Sequence, residues 1–114
     1  MPYLKVETNL NFEGQDISGV CKKISEFTAG ILGKPEQFMM VSLSPNITMT
    51  LSGNTDPTAF VQLKSIGLAK DKCPELSKKI CEFFEQDFKI PSDRIYIEFK
   101  NIDGKMFGWK KGTF

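Results

Sequence analysis

Histidine is absent from the 114 residues. That removes Ser-His-Asp and Cys-His catalysis, the paired-histidine zinc motif and histidine pH switching. Acid–base chemistry here must run on a carboxylate, a lysine, a tyrosine, a thiolate or an N-terminal amine. The last is the most distinctive option. Met1 precedes Pro2, and an initiator methionine ahead of so small a residue is normally trimmed, leaving proline as a free secondary amine. An ordinary α-amino group titrates at about 8. Burial and a nearby cation both disfavour its charged form, which makes a neutral base available at pH 7.

Other candidates surround that idea. Lys34 sits between Gly33 and Pro35, where a lysine either meets the end of a helix or offers a loop cation to a ligand. Lys64-Ser65-Ile66-Gly67 closes a strand before a loop, and free backbone N–H groups there can meet an anion. On the stretch 94–99, Ile95, Ile97 and Phe99 point one way while Tyr96 and Glu98 point the other. A tyrosine and a carboxylate together on a covered face must be paired or used, either as a hydrogen-bonded interface pair or as part of a site. Trp109 and Phe114 in the tail read as packing groups more readily than as ligand contacts. The three cysteines include no C-x-x-C pair. Cys73 and Cys81 are eight residues apart on one predicted helix, roughly 12 Å, too far for a disulfide. The thiols read as small buried hydrophobes in a reducing, cytosolic setting.

The elements that must position these residues come from an internal repeat. Shifted by 56 positions, Lys22-Lys23-Ile24 falls on Lys78-Lys79-Ile80, Glu26-Phe27 on Glu82-Phe83, and Pro35 on Pro91. Each copy reads strand, helix, strand. In the first, Leu4–Thr8 alternates as a strand, Ile17, Val20, Cys21, Ile24, Phe27 and Ile31 follow helical spacing, and Phe38–Leu43 forms a second strand. Asp16 or Ser18 caps that helix and Gly33 with Pro35 ends it. In the second, Ala59–Lys64 is a strand and Pro74 opens a helix. Leu76, Ile80, Phe83, Phe84 and Phe88 mark its buried face, and Arg94–Lys100 closes the unit. Met49 and Leu51 suggest a short intervening strand. Two such units, spanning about 3–45 and 59–101 of one domain, give an α+β fold: a four-stranded mixed sheet with both helices on one face. Phe38-Met39-Met40-Val41 is apolar on both faces of its predicted strand, so the uncovered face asks for another copy of the chain.

Composition removes several classes. With 40% hydrophobic and 25% charged residues, the chain can build a core and is not disordered. No apolar run reaches the roughly 20 residues of a membrane span, and no secretory signal pattern opens the sequence. The formal net charge is +1 and Arg94 is the only arginine, which weighs against nucleic-acid binding. Neither a metal site nor a cofactor motif is expected.

Met1-Pro2, Thr8-Asn9, Gly33-Lys34-Pro35, Leu51-Ser52-Gly53, Asp56-Pro57, Ser65-Ile66-Gly67, Asp93-Arg94-Ile95-Tyr96-Ile97, Gly108-Trp109 and Gly112-Thr113-Phe114 together resemble the macrophage migration inhibitory factor and D-dopachrome tautomerase family, along the whole chain. The resemblance implies a homotrimer whose sheets wrap a central channel, with the helices outside. It implies cofactor-free keto–enol tautomerisation of arylpyruvates such as phenylpyruvate and 4-hydroxyphenylpyruvate, with D-dopachrome isomerisation a further expectation and Pro2 as general base. Pro2, Lys34 and Ile66 would come from one chain and Tyr96 from its neighbour, with Trp109 and Phe114 near the pocket mouth. Lys34 and the Ile66 N–H would hold the substrate carboxylate or the developing oxyanion. Two departures bear on function. Glu98 replaces an asparagine that meets the aromatic end of the substrate, and a carboxylate accepts from a phenol but cannot donate. Pro57-Thr58-Ala59-Phe60 replaces a C-x-x-C motif, so thiol–protein oxidoreductase activity does not carry over.

The leading function is therefore a tautomerase. The alternative is a cytokine-like ligand of a cell-surface receptor, exported without a signal peptide, in which catalysis is vestigial. An RNA-binding α+β domain is disfavoured by the charge balance.

Overall fold

Residues that alternate in the sequence alternate in space. In a computed structural model covering Met1–Phe114, strand β1 (Tyr3–Thr8) buries Leu4, Val6 and Thr8 and turns Tyr3, Lys5 and Glu7 the other way. Helix α1 (Ile17–Leu32) starts where the Asp16 side chain accepts from the Ser18 N–H at 3.1 Å. It stops at Gly33, whose φ of 64° is the left-handed turn glycine adopts most easily. A 3₁₀ turn over Glu36–Phe38 leads into β2 (Met40–Ser44). The second unit follows the same plan: β3 (Ala59–Ile66), α2 (Cys73–Phe88) with Pro74 in its first turn, a 3₁₀ turn at Ser92–Arg94, and β4 (Ile95–Ile102).

Within each unit the strands are parallel, β1 with β2 and β3 with β4. The units join through the antiparallel pair β1–β3, giving the order β2-β1-β3-β4. Both helices cover one face: Val20, Ile24, Ile80 and Phe84 pack on Leu4, Val6, Val61 and Leu63. Each such side chain contributes about 1.5–3 kcal/mol by leaving water. Phe27 stacks on Phe83 at 4.0 Å, tying α1 to α2. No helix is long and apolar enough to cross a membrane.

Three expectations are corrected. The second strand begins at Met40 rather than Phe38, because Pro35 sets up a tight turn through which the Met39 N–H bonds the Glu36 carbonyl at 2.9 Å. The strand therefore presents Met40, 66% exposed, followed by Ser42 and Ser44, and the uncovered sheet face is far more polar than an all-apolar run implies. Lys5, Glu7, Gln62, Lys64, Glu98 and Lys100 share that face by register with Tyr3, Phe60, Ile66 and Tyr96. Met49 and Leu51 form no strand; Leu51 makes only an isolated bridge to Asn54 in a turn. Ile17, at the first turn of α1, is exposed rather than buried.

The loop from Leu51 to Pro57 is held by Arg94. Its guanidinium donates to the carbonyls of Pro57, Leu51, Asn54 and Asp56 at 2.9–3.3 Å. Asn9 adds bonds to Thr55, Asp56 and Thr58. After β4 the chain folds into a two-stranded hairpin, β5 (Gly108–Trp109) and β6 (Gly112–Thr113). Lys110 and Lys111 occupy its turn with φ of 52° and 67°, the positive values a tight hairpin demands and which glycine or asparagine usually supplies.

Candidate functional site

The N-terminal segment, the turn before β2 and the C-terminal hairpin enclose one apolar pocket of about 220 Å³. Pro2 is buried in its wall immediately before β1, fixed where its carbonyl accepts from the Met40 N–H at 3.1 Å. The aromatic side is a connected set. Trp109 stacks on Phe114 at 5.5 Å, and Phe38 meets the Trp109 edge at 5.7 Å. The hairpin that carries Trp109 is folded back by Phe114, whose N–H bonds the carbonyls of Gly104 and Phe107. A side chain at Gly104 would meet the Phe114 carbonyl oxygen at 3.1 Å, so glycine permits that close approach.

Lys34 follows the left-handed Gly33 and reaches the end of β3. Its ammonium donates to the Ile66 carbonyl at 3.0 Å. The two residues expected to act together are thus in contact, although it is the Ile66 carbonyl that occupies the cation in this chain. Lys34 does not line the pocket, yet its charge is felt there. The N-terminal ammonium, carried by Met1, lies below its ordinary pKa, first through burial and second through the Lys34 charge. The direction matches that required of a neutral amine base.

Tyr96 and Glu98 lie elsewhere. Both are on β4, at the sheet edge opposite β2, and neither lines the pocket. Tyr96 is 64% exposed on the uncovered face. Glu98 accepts from the Gln62 amide across the sheet at 2.9 Å, its register partner. Within one chain, Pro2, Trp109 and Phe114 come together, Lys34 and Ile66 pair beside them, and Tyr96 with Glu98 stands apart.

The pocket also uses Phe38, Met40 and Phe107, which the sequence reading did not single out. By pattern Phe38 opens the second strand, Phe38–Leu43, whereas in the fold it ends the turn before it. The signal that could have found it is its place just after Pro35, at a helix-to-strand turn where an aromatic side chain leaves the sheet. The thiols carry no site. Burial pushes Cys21 up, and burial with the Glu85 charge outweighs a Ser77 hydrogen bond to push Cys81 up, which keeps both protonated and poorly reactive. No three His, Cys, Asp or Glu side chains are grouped for a metal ion.

The family profile of macrophage migration inhibitory factor matches residues 1–114. The chain belongs to the macrophage migration inhibitory factor family. A homolog from Brugia malayi is 33% identical over the whole chain and 99% of its own length. The macrophage migration inhibitory factor of Meriones unguiculatus is 32% identical over the same extent. Among solved structures, a homologue from Prochlorococcus marinus superposes with a TM-score of 0.88 at 37% identity, covering 98% of each chain. The Trichinella spiralis protein gives 0.90 at 28% identity, over 98% of this chain and 99% of its own. Several of the sequence motifs serve structure: Asn9, Asp56-Pro57 and Arg94 build the clamp on the 51–58 loop.

Proposed function

We propose that the chain is a cofactor-free keto–enol tautomerase of arylpyruvates, with the free amine of Pro2 as general base. The observation that carries this reading is a buried Pro2 in an aromatic pocket, where burial first and the Lys34 charge second depress the amine that Met1 now carries. Loss of Met1 would move the amine one residue inward, to Pro2. The amine would take a proton from the carbon beside the ketone, within hydrogen-bond reach. Lys34, released from the Ile66 carbonyl, would hold the carboxylate or the enolate oxygen, and the Ile66 N–H would assist. Trp109 and Phe114 would flank the ring. D-dopachrome isomerisation would use the same amine.

The reading includes a homotrimer. A pocket of about 220 Å³ falls short of the roughly 300–1,000 Å³ usual for small-molecule sites, and a neighbouring copy would complete it with Tyr96 and Glu98. We place this activity in the cytosol. Replacing Pro2 by glycine should lower turnover of 4-hydroxyphenylpyruvate by about 10²–10⁴-fold, the usual worth of a positioned base, with the trimer intact by native mass spectrometry. Full activity in that variant would contradict the assignment.

A second reading is a cytokine-like ligand of a cell-surface receptor, exported without a signal peptide; its support is that the relatives are named for inhibiting macrophage migration. A protein inactive on all arylpyruvates but still trimeric would favour it.

A further inference from the structure

The turn of the C-terminal hairpin carries two lysines where the backbone favours glycine or asparagine. Lys110 and Lys111 both hold positive φ, 52° and 67°, a region that crowds the Cβ of a long side chain. Strain of this kind gathers at ligand sites, and at Lys110 a charge accompanies it. The Lys110 ammonium stands 5.6 Å from the centre of the Trp109 ring, within the range of a cation–π contact. Trp109 lines the apolar pocket that holds Pro2 and is 52% exposed, so this wall and its charge sit at the pocket rim. No acidic side chain lines the pocket. Lys110 forms no ion pair with an acidic side chain; the one such pair in the chain joins Lys23 to Asp87. An unpaired positive charge beside an apolar cavity attracts an anion and does little for a neutral ligand of the same shape.

We propose that Lys110 is a specificity-determining residue that makes this pocket prefer an anionic aromatic ligand over its neutral isostere. The ligand class is an aryl ring on a short acid chain, the ring meeting Trp109 and Phe38. The preference stands on the hairpin and the pocket alone. Its use in drawing in an arylpyruvate anion rests on the tautomerase reading.

Trp109 is the only tryptophan, so its fluorescence reports this pocket directly. The full chain is titrated with 3-phenylpropionate and with its neutral isostere 3-phenylpropanamide. The expected result is saturable quenching by both, tighter for the carboxylate. Lys110→Asn should weaken the carboxylate by at least about 3-fold, the scale of one exposed charge pair, and leave the amide unchanged. Lys110→Arg should keep the parent preference. Asparagine adopts positive φ more readily than lysine, so Lys110→Asn should melt no lower than the parent, which separates a lost charge from a damaged hairpin. Undiminished carboxylate binding in Lys110→Asn, equal loss of both ligands, or no saturable quenching by either would overturn the proposal. In an active protein, Lys110→Asn should raise KM for 4-hydroxyphenylpyruvate by a similar factor with kcat held. Because binding is read without turnover, an inactive protein that keeps the Lys110-dependent preference would count against the tautomerase reading alone.

Discussion

The two half-chains share one backbone plan and diverge where chemistry is possible. Shifted by 56 residues, α1 coincides with α2 end to end, and the 3₁₀ turn Glu36–Phe38 coincides with Ser92–Arg94. Gly33 and Lys89 end the helices with the same left-handed turn, φ 64° and 59°. The next residue then parts company. Lys34 sends its ammonium to the Ile66 carbonyl, whereas its counterpart Ile90 is 1% exposed in the core. Phe38 faces Trp109, whereas Arg94 clamps a loop. Pro2 lines a pocket, whereas Thr58 is locked by bonds to Asn9, Thr8 and Arg94. One copy holds the fold together at the positions that the other copy places in the pocket or beside it.

The sharpest way to break this contrast is to exchange the first pair. Ile90→Lys would place an unpaired charge in the core and should cost about 3–5 kcal/mol in urea unfolding. Lys34→Ile should change stability by about 0.5 kcal/mol or less yet lower turnover at least about 10-fold, the loss of a charge-assisted contact. It should also move the acid limb of the pH–rate profile. Burial first and the Lys34 charge second lower the pKa of the amine that Met1 carries. The same cation beside a free Pro2 amine would act in the same direction, so its removal should shift that limb to higher pH. Equal destabilisation by both variants would erase the distinction.

The second pair separates structure from site more finely. Arg94→Ala removes four hydrogen bonds to loop carbonyls and should cost about 2–3 kcal/mol, with kcat retained in the folded fraction. Phe38→Ala loses an edge contact to Trp109, worth about 1 kcal/mol, and should appear as a raised KM rather than as lost stability.

The smallest effect sits on β4. Glu98→Asn should alter the ratio of kcat/KM for 4-hydroxyphenylpyruvate over phenylpyruvate by about 1–2 kcal/mol. Ser42→Ala at the matching position, which loses a bond to Tyr3 at 2.7 Å, should leave that ratio unchanged. An unchanged ratio in Glu98→Asn would remove Glu98 from the pocket.

How much of this was legible in the sequence follows from what writes a local pattern. Helix faces and strand parity do, so Leu4, Ile24, Val61, Ile80 and Ile95 could be placed in the core from spacing alone. The 3₁₀ turn did not show, because Phe38-Met39-Met40-Val41 is a continuous apolar run whether or not its first residues belong to the strand. Arg94 stood out as the lone arginine and as part of a family motif, but its role as a clamp did not. Its partners are backbone carbonyls 37 to 43 residues away, and carbonyls leave no trace in side-chain type. The site divides likewise. Lys34 with Ile66 was nameable from motifs, but the pocket joins the N-terminal segment, the turn before β2 and the C-terminal hairpin, which touch only after folding.

The central claim is that the free amine of Pro2 is the base. Its most direct test follows the loss of enol absorbance from 4-hydroxyphenylpyruvate, comparing protein that begins at Pro2 with protein carrying one extra residue ahead of it. The account predicts turnover at least about 100-fold lower in the extended form, with the same fold and oligomer. Equal rates in the two forms would contradict it.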